Sequence, residues 1–187
     1  MSLKILKDEI KQELDNLPEY RDLLFRRGYL FTNKPLSNTN AYPFYGLWNI
    51  QNVGSYYLYV QQSQTVYTVT EGDICAVIIG HAYNPFDMKY DENEICHDLI
   101  SAYTQSMEAY FNKVSELTGL HIIILIDGQE VIACQDACSL TGCYFGSVND
   151  AMYITEHPQL VADICGLKMN KKVEKLVQSK CYNIGNR

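Results

Sequence analysis

A chain of 187 residues, 47% apolar and with a formal net charge of −7, can bury one substantial core but not two comfortable ones. No run of about 18 apolar residues occurs, which excludes a membrane-spanning helix, and the charged start from Lys4 to Asp8 lacks the apolar stretch of a signal peptide. Charge falls unevenly: residues 35–167 hold only Lys89 and Lys113 against fifteen acids, a net of −13 with no arginine, between ends of +1 (residues 1–34) and +5 (residues 168–187). So acidic a body repels phosphates, which excludes nucleic acid as a partner, and it offers a carboxylate no bidentate arginine fork.

Leu3, Leu6, Ile10, Leu14 and Leu17 recur at helical spacing between charges, predicting an amphipathic helix over 3–17. Pro18 is placed to open a second helix carrying Leu23, Leu24 and Phe25 and ending near Gly28. The polar stretch 32–43, with Pro35 and Pro43, predicts a connector. Four strands are then expected at Tyr42–Ile50, Ser55–Val60, Thr65–Thr70 and Asp73–Gly80, ending at Asn84-Pro85. Two helices follow between Asp91 and Leu117, the first capped by Asp91. Leu120–Ile126 and Glu130–Cys134 flank Asp127-Gly128, which predicts a hairpin with a type I′ turn. Short strands at Tyr144-Phe145 and Met152–Thr155 surround Asn149-Asp150. A helix from His157-Pro158 to Gly166 and a basic helix over Lys171–Gln178 complete the chain. Strands, helices, strands, with helices at both ends, predict sheets covered by helices in layers.

Seven cysteines cannot all pair, and they sit in apolar segments, which fits a reducing cytoplasm. Cys134, Cys138, Cys143 and His157 lack the paired C-x-x-C spacing of a zinc site, so no metal and no other cofactor is expected. Cys96 and His97 are adjacent and point about 100° apart on a helix, so they do not form a thiol–imidazole pair. The acidic stretch Asp87–Asp98 lacks the alternating ligands and turn glycine of a calcium loop.

Several segments share one order with a known family. Ile79-Gly80-His81-Ala82-Tyr83-Asn84 follows a strand. Glu92-Asn93-Glu94 opens a helix. Gln135-Asp136 through Tyr144-Phe145-Gly146 follows the hairpin, and Thr155-Glu156-His157 ends a later strand. Over roughly residues 43–166 the chain resembles the glutaminase domain of asparagine-synthetase-type amidotransferases, of the class II, N-terminal-nucleophile group. The resemblance implies an α+β fold, a four-layer α-β-β-α sandwich of two mainly antiparallel sheets. It divides the chain into a helical extension and connector (1–42), a glutaminase-like domain (43–167) and a basic helix or linker (168–187).

The scaffold positions Gly80, Tyr83, Asn84, Glu94, Asp136, Tyr144 and Gly146 match. The resemblance implies a vestigial pocket of Gly80, Tyr83, Asn84, Glu92, Glu94 and Asp136, with Glu92 standing where the family has an aspartate that grips the substrate amine. The residues the chemistry needs do not match. The family's nucleophile is an N-terminal cysteine whose free amine serves as base; here Met1 precedes Ser2, and Met1-Ser2-Leu3 reads equally as a native start or a cloning remnant. Ile79 stands where the family has an oxyanion-binding asparagine, and the substrate-carboxylate arginine has no counterpart in residues 35–167. The resemblance therefore implies a catalytically inactive glutaminase-like domain, with no catalytic residue assigned, that packs against or regulates an ATP-dependent synthetase domain, C-terminal or separate. Two alternatives stay open: an active amidohydrolase using Ser2 or an internal cysteine, and a self-associating scaffold forming a homo-oligomer.

Overall fold

The computed structural model describes residues 3–179. Helix α1 (Leu3–Asn16) opens the chain, and a 3-10 turn over Pro18–Leu23 follows in place of the second helix expected there. Phe25 and Arg27 adopt left-handed φ values of 50° and 60°, which a helix cannot contain. Arg21 ties this region together by donating from Nε to the Leu14 carbonyl at 2.8 Å.

The strands form two sheets, antiparallel throughout. One has five strands in the order β2 (Trp48–Val53), β3 (Tyr56–Gln61), β1 (Tyr29–Thr32), β9 (Ala151–Thr155) and β8 (Tyr144–Val148). The other has four in sequence order: β4 (Val66–Glu71), β5 (Ile74–Tyr83), β6 (Thr118–Asp127) and β7 (Glu130–Gln135). Strand β1 departs from the sequence expectation. It lies at the centre of its sheet, with Phe31 opposite both Leu58 of β3 and Ile154 of β9, so the sheet starts ahead of the boundary drawn at residue 43. Residues 42–47 are not strand; Phe44 and Tyr45 both donate amides to the Ala41 carbonyl, at 2.9 Å each, and the chain turns there.

Three apolar layers hold the molecule together. Tyr29, Phe31, Val77, Ile79, Ile122 and Ile124 meet between the sheets. Ile78, Ile123 and Leu125, on the opposite face of the four-stranded sheet, pack on Ile95, Leu99 and Tyr110 of α2 (Glu92–Gln105) and α3 (Met107–Ser115). Leu30, Tyr59 and Tyr153, on the outer face of the five-stranded sheet, pack with Phe44, Trp48 and Leu160, the last on α4 (Pro158–Ile164). The period-2 alternation of β5 and β6 thus feeds two cores at once, each buried isoleucine contributing about 1.5–3 kcal/mol. The result is a mixed α+β sandwich with helices on both outer faces.

Two-residue loops close four hairpins. At Gly54, Gly72 and Gly128 only the first loop residue has positive φ, the type II′ pattern. The Asp127-Gly128 hairpin is therefore not the type I′ turn expected. That pattern falls at Asn149-Asp150, with φ of 51° and 61°. Helix α5 (Lys171–Val177) has Asn170 as its cap and buries none of its residues. Among the described residues no helix is long and apolar enough to cross a membrane.

Candidate functional site

The six residues of the expected pocket wall separate into distinct settings. Gly80, at φ +95°, lies opposite His121, and a Cβ placed on it would stand 2.3 Å from the Leu120 carbonyl oxygen. Gly119 mirrors it across the ladder at φ +117°, with a Cβ there 2.2 Å from the His81 carbonyl oxygen. Two glycines thus let β5 and β6 bend into each other where no side chain fits.

Asp136 follows β7, 2% exposed, beside His121, whose carbonyl accepts from the Asp136 amide at 3.0 Å. Its carboxylate accepts amide hydrogens from Cys138 and Leu140 at 3.1 Å and from Thr141 at 2.8 Å. Burial acts to raise its pKa, but the donors, Thr141 foremost, outweigh burial and hold the carboxyl below its usual range. Asp136 therefore organises the 137–141 loop. His121, 1% exposed with Nδ1 unpartnered, is pushed below the ordinary imidazole value by burial, against opposing pulls from Asp136 and the His81 carbonyl.

Glu92 is 8% exposed in the first turn of α2, and His81 takes its carboxylate, with Nδ1 3.1 Å from Oε1. The pair fixes the imidazole proton on Nδ1. Nε2 then faces Thr65 Oγ1 at 3.5 Å. Threonine, histidine and glutamate stand in the order of a nucleophile, its base and an orienting acid. The hydroxyl, however, donates to the Gly80 carbonyl at 3.1 Å, and the Gly80 amide is taken by the Thr65 carbonyl at 2.9 Å. Neither a free nucleophile proton nor a free Gly80 amide for an oxyanion is left at this point. No sequence spacing signals this contact, because residues 81 and 92 meet only through the path of the loop between them.

Asn84 is 1% exposed and positions that loop. Its Oδ1 accepts from the amides of Phe86 and Asp87, and its Nδ2 donates to Asp87 and Glu116. Its backbone exchanges two hydrogen bonds with Lys89. Tyr83 stacks on Tyr90 with ring centroids 6.0 Å apart, and Glu94 is exposed.

A second group of polar side chains gathers at the head of β1. The Tyr29 hydroxyl donates to the Gly142 carbonyl at 2.9 Å. Burial raises the Glu156 carboxyl, opposed by Arg27, and burial lowers His157. Arg27 thus brings to the end of the five-stranded sheet a guanidinium that residues 35–167 lack. From Cys143, beside Tyr29, an uncharged cleft of about 530 Å³ runs between the edges of β7 and β8, lined by Val131, Ala133, Phe145, Met152 and Ile154.

Cys134 packs toward the helices and Cys143 between the sheets, in separate cores. Burial raises the Cys75, Cys134 and Cys143 thiols, and pushes Cys96 up to about 12. Thiols held protonated are poor nucleophiles. Among the described residues no three of His, Cys, Asp and Glu group to hold a metal ion. Ser2 lies outside the described residues. No family model matches the chain, and no curated protein is significantly similar to it.

Proposed function

We propose that this chain is a catalytically inactive glutaminase-like domain of the asparagine-synthetase type, with the N-terminal-nucleophile fold. Its role is to pack against or regulate an ATP-dependent synthetase domain, C-terminal on a longer chain or separate. One observation carries the inactive reading: the head of the central strand is closed. N-terminal-nucleophile chemistry needs a free α-amine beside its nucleophile. Here β1 is entered from a continuing chain, and the Gly28 peptide nitrogen donates to the Phe25 carbonyl at 2.8 Å. A Cβ at Gly28 would stand 2.6 Å from that carbonyl oxygen and 2.9 Å from His157 Cδ2, so no side chain fits there. Two further points support it. Ile79 is fully buried and offers no donor, and the Glu92 acid is engaged internally by His81.

The test is ammonia release from glutamine by the purified chain. No release above buffer is expected, since one missing oxyanion donor alone costs about 10²–10³-fold. Steady turnover abolished by Ser2→Ala or by a thiol reagent would sink the inactive reading and favour the amidohydrolase. The synthetase partner is tested by the coding sequence downstream: a gene ending at Arg187, with no neighbouring synthetase that binds this chain, leaves the scaffold reading in its place.

A further inference from the structure

Two exposed features of the molecule complement each other. The first is the 84–90 loop. Asn84 commits both side-chain polar groups to it, Lys113 ion-pairs with Asp87 at 2.5 Å, and Lys89 with Asp98 at 2.5 Å. The loop so held turns apolar side chains outward: Phe86 is 77% exposed, Met88 66% and Tyr90 63%, with Met88 at φ +55°. Aromatic and methionine side chains ordered in advance are the kind that carry binding energy. Asp91 and Glu94 are exposed beside the loop and have no ion-pair partner among the described residues, because both nearby lysines are engaged by other acids.

The second feature is α5. Val173, Leu176 and Val177 fall at i, i+3 and i+4, one face of the helix, yet Val173 is 47% and Leu176 57% exposed. Lys168, Lys171, Lys172 and Lys175 against Glu174 give this segment a charge of +3.

We propose that α5 of one copy docks its apolar face on the 84–90 loop of a second copy, its lysines meeting Asp91 and Glu94. Within one chain the two faces do not meet: α5 buries none of its residues, and Phe86, Met88, Val173 and Leu176 are exposed together. Helix α4 covers the outer face of the five-stranded sheet, whereas the loop leaves the four-stranded sheet and is pinned to α2 and α3. Reciprocal exchange of two such helices closes a two-fold dimer.

The test is light scattering with size exclusion on the 187-residue chain. A dimer is expected, weakened by raising salt. Dissociation should rise about 30-fold in Phe86→Ser/Met88→Ser and in Val173→Asp/Leu176→Asp. All four positions are exposed, so circular dichroism should show unchanged folding. Mixing the two variants restores one intact contact and should recover a heterodimer tighter than either variant alone. A wild-type monomer at about 100 μM, where a micromolar complex is nearly all formed, overturns the proposal. So does a dimer indifferent to both variants, or no gain on mixing.

Discussion

Replacing Gly80 by alanine should cost about 4 kcal/mol of folding stability, from strain and overpacking together. At φ +95° any L side chain is strained by about 1–3 kcal/mol. The new Cβ would also meet the Leu120 carbonyl oxygen at 2.3 Å, and that atom is backbone in a paired ladder, so relief requires moving β6 itself. Overpacking of this kind costs about 1–3 kcal/mol more. Against a total of about 5–15 kcal/mol, the loss should move the urea midpoint by about 2 M. Gly146→Ala is the matched control, since a Cβ there meets nothing within 4 Å; its midpoint should shift by under about 0.3 M. A wild-type midpoint for Gly80→Ala would show that β5 and β6 do not approach as described.

Asp136→Ala should destabilise by about 3 kcal/mol, since it strips the acceptor from three amides. Because the Asp136 pKa is lowered on folding, its contribution is present above about pH 3.8 and lost as pH falls through the folded value; an unchanged urea midpoint for the variant at about pH 7 would refute the assignment. His121 is also lowered on folding, so the native state binds fewer protons than the unfolded chain below about pH 6.5, and stability present above that value erodes as pH falls. The drop in urea midpoint between about pH 7.5 and 5.5 should be smaller in His121→Asn than in wild type, and equal drops would refute a buried neutral imidazole.

Where side-chain pattern and turn chemistry agree, local structure is readable in advance. The long apolar runs of β5 and β6, the Asn149-Asp150 turn and the Asp91 cap all lie where expected. Tyr29–Thr32 escapes because it is only four residues long: β5 and β6, also buried on both faces, declare themselves by long apolar runs in ten-residue strands, whereas four buried residues after Gly28 carry no period. The stretch 42–47 misleads in the opposite sense: its aromatic residues suggest strand, but Phe44 and Tyr45 are turned by the Ala41 carbonyl. Among the residues expected to form a pocket wall, Gly80 and Asp136 are legible because backbone geometry and amide capping need those residue types. The pairing of His81 with Glu92 is not, since it depends on where α2 begins relative to the end of β5.

The neighbours of β1 set the order in which the molecule can be completed. The four-stranded sheet is built from consecutive strands, β4 to β7, so residues 66–135 can pair as they leave the ribosome. The five-stranded sheet cannot. Its central strand ends at Thr32, yet one of its two partners is β9, which starts at Ala151. Until that strand is made, Leu30 and Phe31 have an open edge beside them, and the long loop closure that seals it must be completed before its contacts stabilise anything. Nascent chains that stop short of Thr155 therefore expose the middle of a sheet rather than its rim, the kind of surface that chaperones hold and that aggregates when they do not.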